Sequence, residues 1–291
     1  VAKNKGYYAY PPNNLLWLTK SLKGMDIDIK ILDLNYELLK NVNKDSSYDY
    51  KNWLLVLERY IQQHKPSVIG VSCTSVSNLF EEGHPFIQIL KLLKKYDKSI
   101  VLTGGVNATG SYKELLDKGL CHFVFSGESE NKINYFFNSL FNNKIDIQKS
   151  GIFFKANGKI EQTKGERDIV DLKGNLIDVY NYIKLGDYHN VGSLNPYSRE
   201  AGIDKKYAAI QLNRGCRGNC VFCGVSDFVG HGIRHYPVKD VVDEINYLAK
   251  EHGIKHFEWL DDDLLINKKE IMDLLREIIR RDLKITWAAN N

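Results

Sequence analysis

Cys216, Cys220 and Cys223 stand in the run Arg214-Gly-Cys-Arg-Gly-Asn-Cys-Val-Phe-Cys-Gly224, a C-x3-C-x2-C spacing. Thiolates bind soft metals, and three on one short loop can hold three irons of a 4Fe–4S cluster while the fourth iron stays open to another ligand. Zinc is the alternative for the same residues. It takes four ligands, most often from C-x2-C pairs, and the fourth would come from His231 or His235 downstream. The spacing favours the cluster. Cys73 and Cys121 have no patterned spacing and stand in apolar, strand-like contexts, which predicts buried free thiols in a reducing compartment.

With the aromatic Phe222 just before its last cysteine, this run resembles the signature of the radical S-adenosylmethionine (SAM) enzymes. The resemblance implies that Cys216, Cys220 and Cys223 carry the cluster and that its open iron chelates the amino and carboxylate groups of SAM. One electron then splits a carbon–sulfur bond, and the resulting 5′-deoxyadenosyl radical takes hydrogen from a substrate. Such chemistry belongs to the cofactor, while the protein places it and excludes competing reactions. The resemblance also implies an electron donor such as a flavodoxin or ferredoxin, and a SAM contact from Phe222. Of Asp261, Asp262 and Asp263, it gives Asp262 first, and Asp261 next, the role of accepting a hydrogen bond from the SAM amino group. Acids at a strand end are equally suited to cap a following helix. Arg234, after Gly230-His-Gly232, resembles a family arginine beyond the cluster loop, and a surface ion pair is its other reading. No catalytic side chain is assigned.

The elements that must position these residues follow from periodicity. Ile27–Leu34, Val68–Ser72, Ile100–Thr103 and Cys121–Phe125 read as strands, and Leu54–Gln63, Pro85–Tyr96 and Tyr112–Lys118 as helices. Such alternation predicts a Rossmann-like α/β domain over residues 1–149, with ligands bound beyond the carboxyl ends of its parallel strands. Residues 150–204 read as a hairpin turning at Asn157-Gly158, followed by an ordered linker. Residues 205–291 then read as strand Tyr207–Leu212, helix Val238–His252, strand Lys255–Leu260, a helix around Ile271 to Ile278 and strand Ile285–Trp287. The radical SAM resemblance implies that these elements start a partial βα-barrel, and the cysteines and the three aspartates fall at its strand ends, where such barrels keep their chemistry. The chain opens at Val1 and closes just after the third of these strands, so a fragment of a longer polypeptide, inactive alone, is expected.

Two further features resemble cobalamin-binding domains. Ser72-Cys73-Thr74 lies at the end of one strand, and Gly104-Gly105 follows the next. The resemblance implies that Ser72 and Thr74 reach the cobalamin nucleotide tail, and that glycines at 104 and 105 let the backbone approach it. Pro11-Pro12 with Leu15, Leu16 and Leu18, and Phe125-Ser-Gly-Glu128, also resemble cobalamin-dependent radical SAM proteins. Asp187-Tyr-His189-Asn-Val-Gly192 matches a cobalt-ligand pattern but stands after the serine motif instead of before it, so His189 is not expected beneath cobalt. Glu128 and Glu130 suit either a domain seat or a helix cap.

Composition limits the classes. A net charge of +4 without a basic stripe argues against nucleic acid as partner, and Lys91, Lys94, Lys95 and Lys98 suit a solvated helix end. No apolar run reaches membrane-spanning length and no signal-peptide core opens the chain, so a cytoplasmic protein is expected. Together these readings suggest a radical SAM enzyme with cobalamin as methyl carrier to an unactivated carbon of a small-molecule or lipid-like substrate. Cobalamin-dependent rearrangement or cyclisation is the alternative within the class, and a non-catalytic, zinc-stabilised binding protein the alternative outside it.

Overall fold

A computed structural model describes residues 9–45, 47–73, 78–141, 151–163, 169–191, 205–218 and 220–289. In chain order its elements begin with α1 (Asn13–Ser21), α2 (Leu34–Lys44), α3 (Leu54–His64), β1 (Val68–Ser72), α4 (Pro85–Leu93), β2 (Ile100–Gly104), α5 (Val106–Gly110), α6 (Tyr112–Asp117), β3 (Phe123–Phe125) and α7 (Glu130–Phe141). They continue with β4 (Ile152–Ala156), β5 (Lys159–Gln162), β6 (Tyr207–Ile210), β7 (Asn213–Arg214), α8 (Val225–Val229), β8 (Arg234–His235), α9 (Val238–Glu251), β9 (His256–Trp259), α10 (Lys268–Arg280) and β10 (Thr286–Ala289). Packing groups them into two compact units, Leu54–Val170 with Val221–Gly230, and Val1–Trp53 with Asp171–Cys220 and His231–Asn291. No described helix is long and apolar enough to cross a membrane.

The first unit is built on a five-stranded sheet in the order β1-β2-β3-β4-β5. β1, β2 and β3 run parallel, as alternation of strand and helix requires, and β4 and β5 join antiparallel. α4 starts with Pro85 at its first turn and buries Phe86, Ile87, Leu90, Leu92 and Leu93. Leu102, Phe125, Phe136 and Ile152 form one core cluster between β2, β3, α7 and β4. The turn at Asn157-Gly158 has φ of 49° and 77°, the pair of positive values a two-residue hairpin needs. That hairpin extends the sheet through β3, so the hairpin read as lying beyond the first domain belongs to this unit.

In the second unit β6 and β10 flank β9, all parallel. α9 buries Val241, Val242, Ile245 and Leu248, the face expected from spacing, and α10 buries Leu274 and Ile278. Arg281 ties the two helices by binding Asp243 at 2.6 Å and Glu277 at 2.7 Å. Residues 9–53 pack in this unit. Asn13 Nδ2 donates to the Ala209 carbonyl at 2.7 Å, Tyr10 donates to Glu258 at 2.7 Å, and Tyr207 donates to the Ala9 carbonyl at 2.9 Å. Tyr36 stacks on Tyr188 at 4.6 Å between centroids. Packing therefore departs from the sequence boundaries at 149 and 204, because hydrogen bonds and ring contacts between residues far apart in the chain bind residues 9–13 to β6 and β9, and the linker to α9 and α2.

Ile27–Leu34 is a second departure. The exposure of residues 27–31 alternates as in a strand, yet no ladder forms among the described residues. The run ends where Asp33 accepts a hydrogen bond from Tyr36 N at 2.9 Å and starts α2 at Leu34.

Candidate functional site

The cysteine run leaves the carboxyl end of β6 through β7, which pairs with β8 on the far side of the loop. Gly215 is required there: its φ is +98°, and a Cβ would lie 2.2 Å from the Gly232 carbonyl oxygen. The three aspartates after β9 grip the same stretch of backbone. Asp261, 5% exposed, accepts from Leu212 N at 3.0 Å and Asn213 N at 2.5 Å. Asp262 accepts from Gly215 N at 3.2 Å, and Asp263 pairs with Arg217 at 3.2 Å while its carbonyl accepts from Asn213 Nδ2 at 3.1 Å. The end of β9 thus holds positions 212, 213, 215 and 217 in order, a role that sequence reasoning missed because it weighed only SAM binding and helix capping.

On the loop, Cys216 is half-buried and Cys220 and Cys223 are exposed, as are Val221 and Phe222. Gly218 N donates to Cys216 Sγ at 3.2 Å, the kind of bond that supports a thiolate ligand. A Cβ on Gly218 would lie 3.3 Å from Cys216 Sγ and 3.6 Å from Cys220 Sγ, so a glycine separates these two sulfurs. Both observations suit thiolate ligation. Among the described residues no three His, Cys, Asp or Glu side chains stand together as a metal site. Cys73 and Cys121 are buried, and burial pushes the Cys121 thiol up to about 12.

Desolvation also pushes the Asp261 carboxyl up to about 7, against the pull of its two backbone donors. An acid raised above its ordinary 3.8 keeps its proton in the folded chain and loses it in the unfolded one, so stability falls as pH climbs from about 4 to about 7. Unfolding midpoints of wild type and Asp261→Asn, compared at pH 5 and pH 7.5, should therefore separate, with wild type losing ground at the higher pH. A pH-independent difference would show that Asp261 is ionised throughout.

In the other unit, Ser72 and Gly104 are register partners at the carboxyl ends of β1 and β2, and Cys73 N donates to the Gly104 carbonyl at 3.0 Å. The serine and the glycine pair are thus side by side. Thr74 lies outside the described residues. Gly105 owes its identity to the protein's own backbone: φ is +101°, and a Cβ would sit 2.1 Å from the Cys73 carbonyl oxygen. Gly104 faces Phe125 at ordinary contact distance. The open backbone is at Gly70, where an added Cβ meets nothing within 4 Å. Gly70 and Ser72 alternate onto one exposed face of β1, a bare strip suited to a flat or extended ligand group. A glycine inside a strand was the available signal for it.

Asp187 and Tyr188 of the histidine pattern serve packing. Tyr36 donates to Asp187 at 3.4 Å, and buried Tyr188 donates to Asp33 at 3.0 Å. Arg234 pairs in β8 with Arg214, whose guanidinium lies 5.7 Å from both the Trp17 and Tyr236 rings. Glu128 is buried, and Glu130 accepts from Ser129 N at 3.1 Å where α7 begins, in line with capping.

Residues 210–291 match the family model of the radical SAM superfamily. An uncharacterized methyltransferase of Pyrococcus horikoshii is 24% identical over 97% of this chain and 55% of its own length. An anaerobic magnesium-protoporphyrin IX monomethyl ester cyclase of Synechocystis is 27% identical over 95% of this chain and 50% of its own. The chain thus spans about half the length of these curated relatives. Among solved structures, the radical SAM methyltransferase TsrM of Kitasatospora setae, bound to tryptophan and a SAM analog, superimposes with a TM-score of 0.68 at 20% identity, over 94% of this chain and 49% of TsrM. A second TsrM structure, with cobalamin and a 4Fe–4S cluster, gives 0.66 at 19% identity, over 94% of this chain and 50% of TsrM. Residues 210–291 thus match the radical SAM family model, in a chain that shares its fold with a solved radical SAM methyltransferase.

Proposed function

We propose that this chain is the cofactor-binding portion of a cobalamin-dependent radical SAM enzyme, most simply a methyltransferase acting on a small-molecule or lipid-like substrate. The observation that carries this reading is the three-cysteine loop at the carboxyl end of β6, gripped from β9 and lying within the radical SAM match. Cys216, Cys220 and Cys223 would hold the cluster, with Gly218 N–H supporting one sulfur. Phe222, exposed on the loop, and Asp262, with Asp261 behind it, are the residues offered for SAM. Ser72, Thr74, Gly104 and Gly105, with Gly70, are those offered for cobalamin, supported by the bare strip on β1 and the cobalamin bound to TsrM. When bound, the cluster and SAM supply a carbon radical, and cobalamin supplies a methyl carrier. The residues of this chain bind and orient these groups. Cyclisation is the second reading, favoured by the likeness to the magnesium-protoporphyrin ester cyclase.

Anaerobic reconstitution with iron and sulfide, followed by hydroxocobalamin, tests the reading. A brown chain with broad absorbance in the blue, and cobalamin that co-elutes with it, is expected. A colourless chain containing zinc would move the assignment to a metal-stabilised binding protein.

A further inference from the structure

Thr109 lies in α5, just after the Gly104-Gly105 pair, and its hydroxyl makes two bonds. It donates to the Gly105 carbonyl at 2.9 Å and accepts from Gly127 N at 3.0 Å. The turn after β2 is thereby tied to the turn after β3. Gly127 is buried with φ +65°, and a Cβ there would lie 2.8 Å from the Phe228 carbonyl oxygen. Phe228 belongs to α8, which begins two residues after Cys223. At the start of α8, a Cβ on Gly224 would lie 3.7 Å from a Val106 methyl group. The segment Val221–Gly230 is thus seated on two turns that one hydroxyl joins.

We propose that Thr109 is a positioning residue that sets the placement of the Cys223 segment and couples it to ligand occupancy of the Gly104-Gly105 turn. The coupling rests on the cluster and cobalamin reading given above. Gly105 O already accepts from Thr109 N at 2.9 Å, so the bond without a substitute is the one to Gly127 N. A valine at 109 keeps the volume but leaves that buried N–H without its acceptor. The turn then relaxes, and with it the surface that admits the Phe228 carbonyl.

Hydrogen exchange at amides 221–230, in the cluster-free chain with and without hydroxocobalamin, tests this. Thr109→Val is expected to speed that exchange about tenfold, and Thr109→Ser, which keeps the hydroxyl, to restore it, while exchange in β6 and β9 stays unchanged. After reconstitution the valine variant should hold less iron per chain than the serine variant. Hydroxocobalamin should slow the same amides in wild type but not in Thr109→Val. Equal exchange in wild type and Thr109→Val overturns the positioning role. Cobalamin that fails to co-elute with wild type overturns the cobalamin reading and the coupling to it, and cluster-free exchange then decides Thr109 by itself.

Discussion

Alanine at any one of Cys216, Cys220 or Cys223 is expected to cut the iron held after anaerobic reconstitution from about four per cluster site to background, because a site-differentiated cluster has no protein ligand to spare. Cys73→Ala and Cys121→Ala should leave it unchanged, since both thiols are buried and neither stands on the three-cysteine loop. Iron and sulfide analysis together with the visible spectrum provide the measurement. Retention of a full iron complement by any one of the three loop variants would mean that the ligands have been misidentified. The effect should be all-or-none, unlike that of Asp262→Ala, which loosens the Gly215 end of the loop but removes no sulfur.

Gly105→Ala is expected to be the most damaging single methyl addition in the first unit. The left-handed φ of +101° disfavours any side chain, and the new Cβ would overlap the Cys73 carbonyl oxygen at 2.1 Å. Strain and overlap together suggest a loss of about 2–5 kcal/mol. Gly104→Ala, whose Cβ would meet Phe125 O at 3.4 Å, should cost about 1 kcal/mol. Urea unfolding of the two variants distinguishes them. Similar midpoints would show that the chain can separate β1 from β2 at little cost, and that the glycine pair is kept for a ligand alone.

Much of the architecture was legible because it depends on local period and on local chemistry. The strand at Val68–Ser72, the α9 face of Val241, Val242, Ile245 and Leu248, and the Asn157-Gly158 turn each follow from neighbouring residues. The cysteine spacing likewise needs no tertiary partner to suggest metal chemistry. Ile27–Leu34 misled for the same reason: alternation reports a half-exposed segment, but a strand also needs a neighbour to pair with, and Asp33 instead caps α2.

Tertiary structure alone decided what the polar residues touch. Nothing in Asp261-Asp262-Asp263 announces that its acceptors face Leu212, Asn213 and Gly215, because those donors lie nearly fifty residues earlier in the chain. That Gly105 packs against the Cys73 carbonyl is equally silent in the sequence, and residues 9–53 read as part of the first domain until Asn13 and Tyr10 are found on β6 and β9. Side-chain period carries which face is buried; it carries no information about which distant backbone that face will meet. The types and spacing of the thiols were therefore determined by sequence, and the placement of the backbone that presents them by packing.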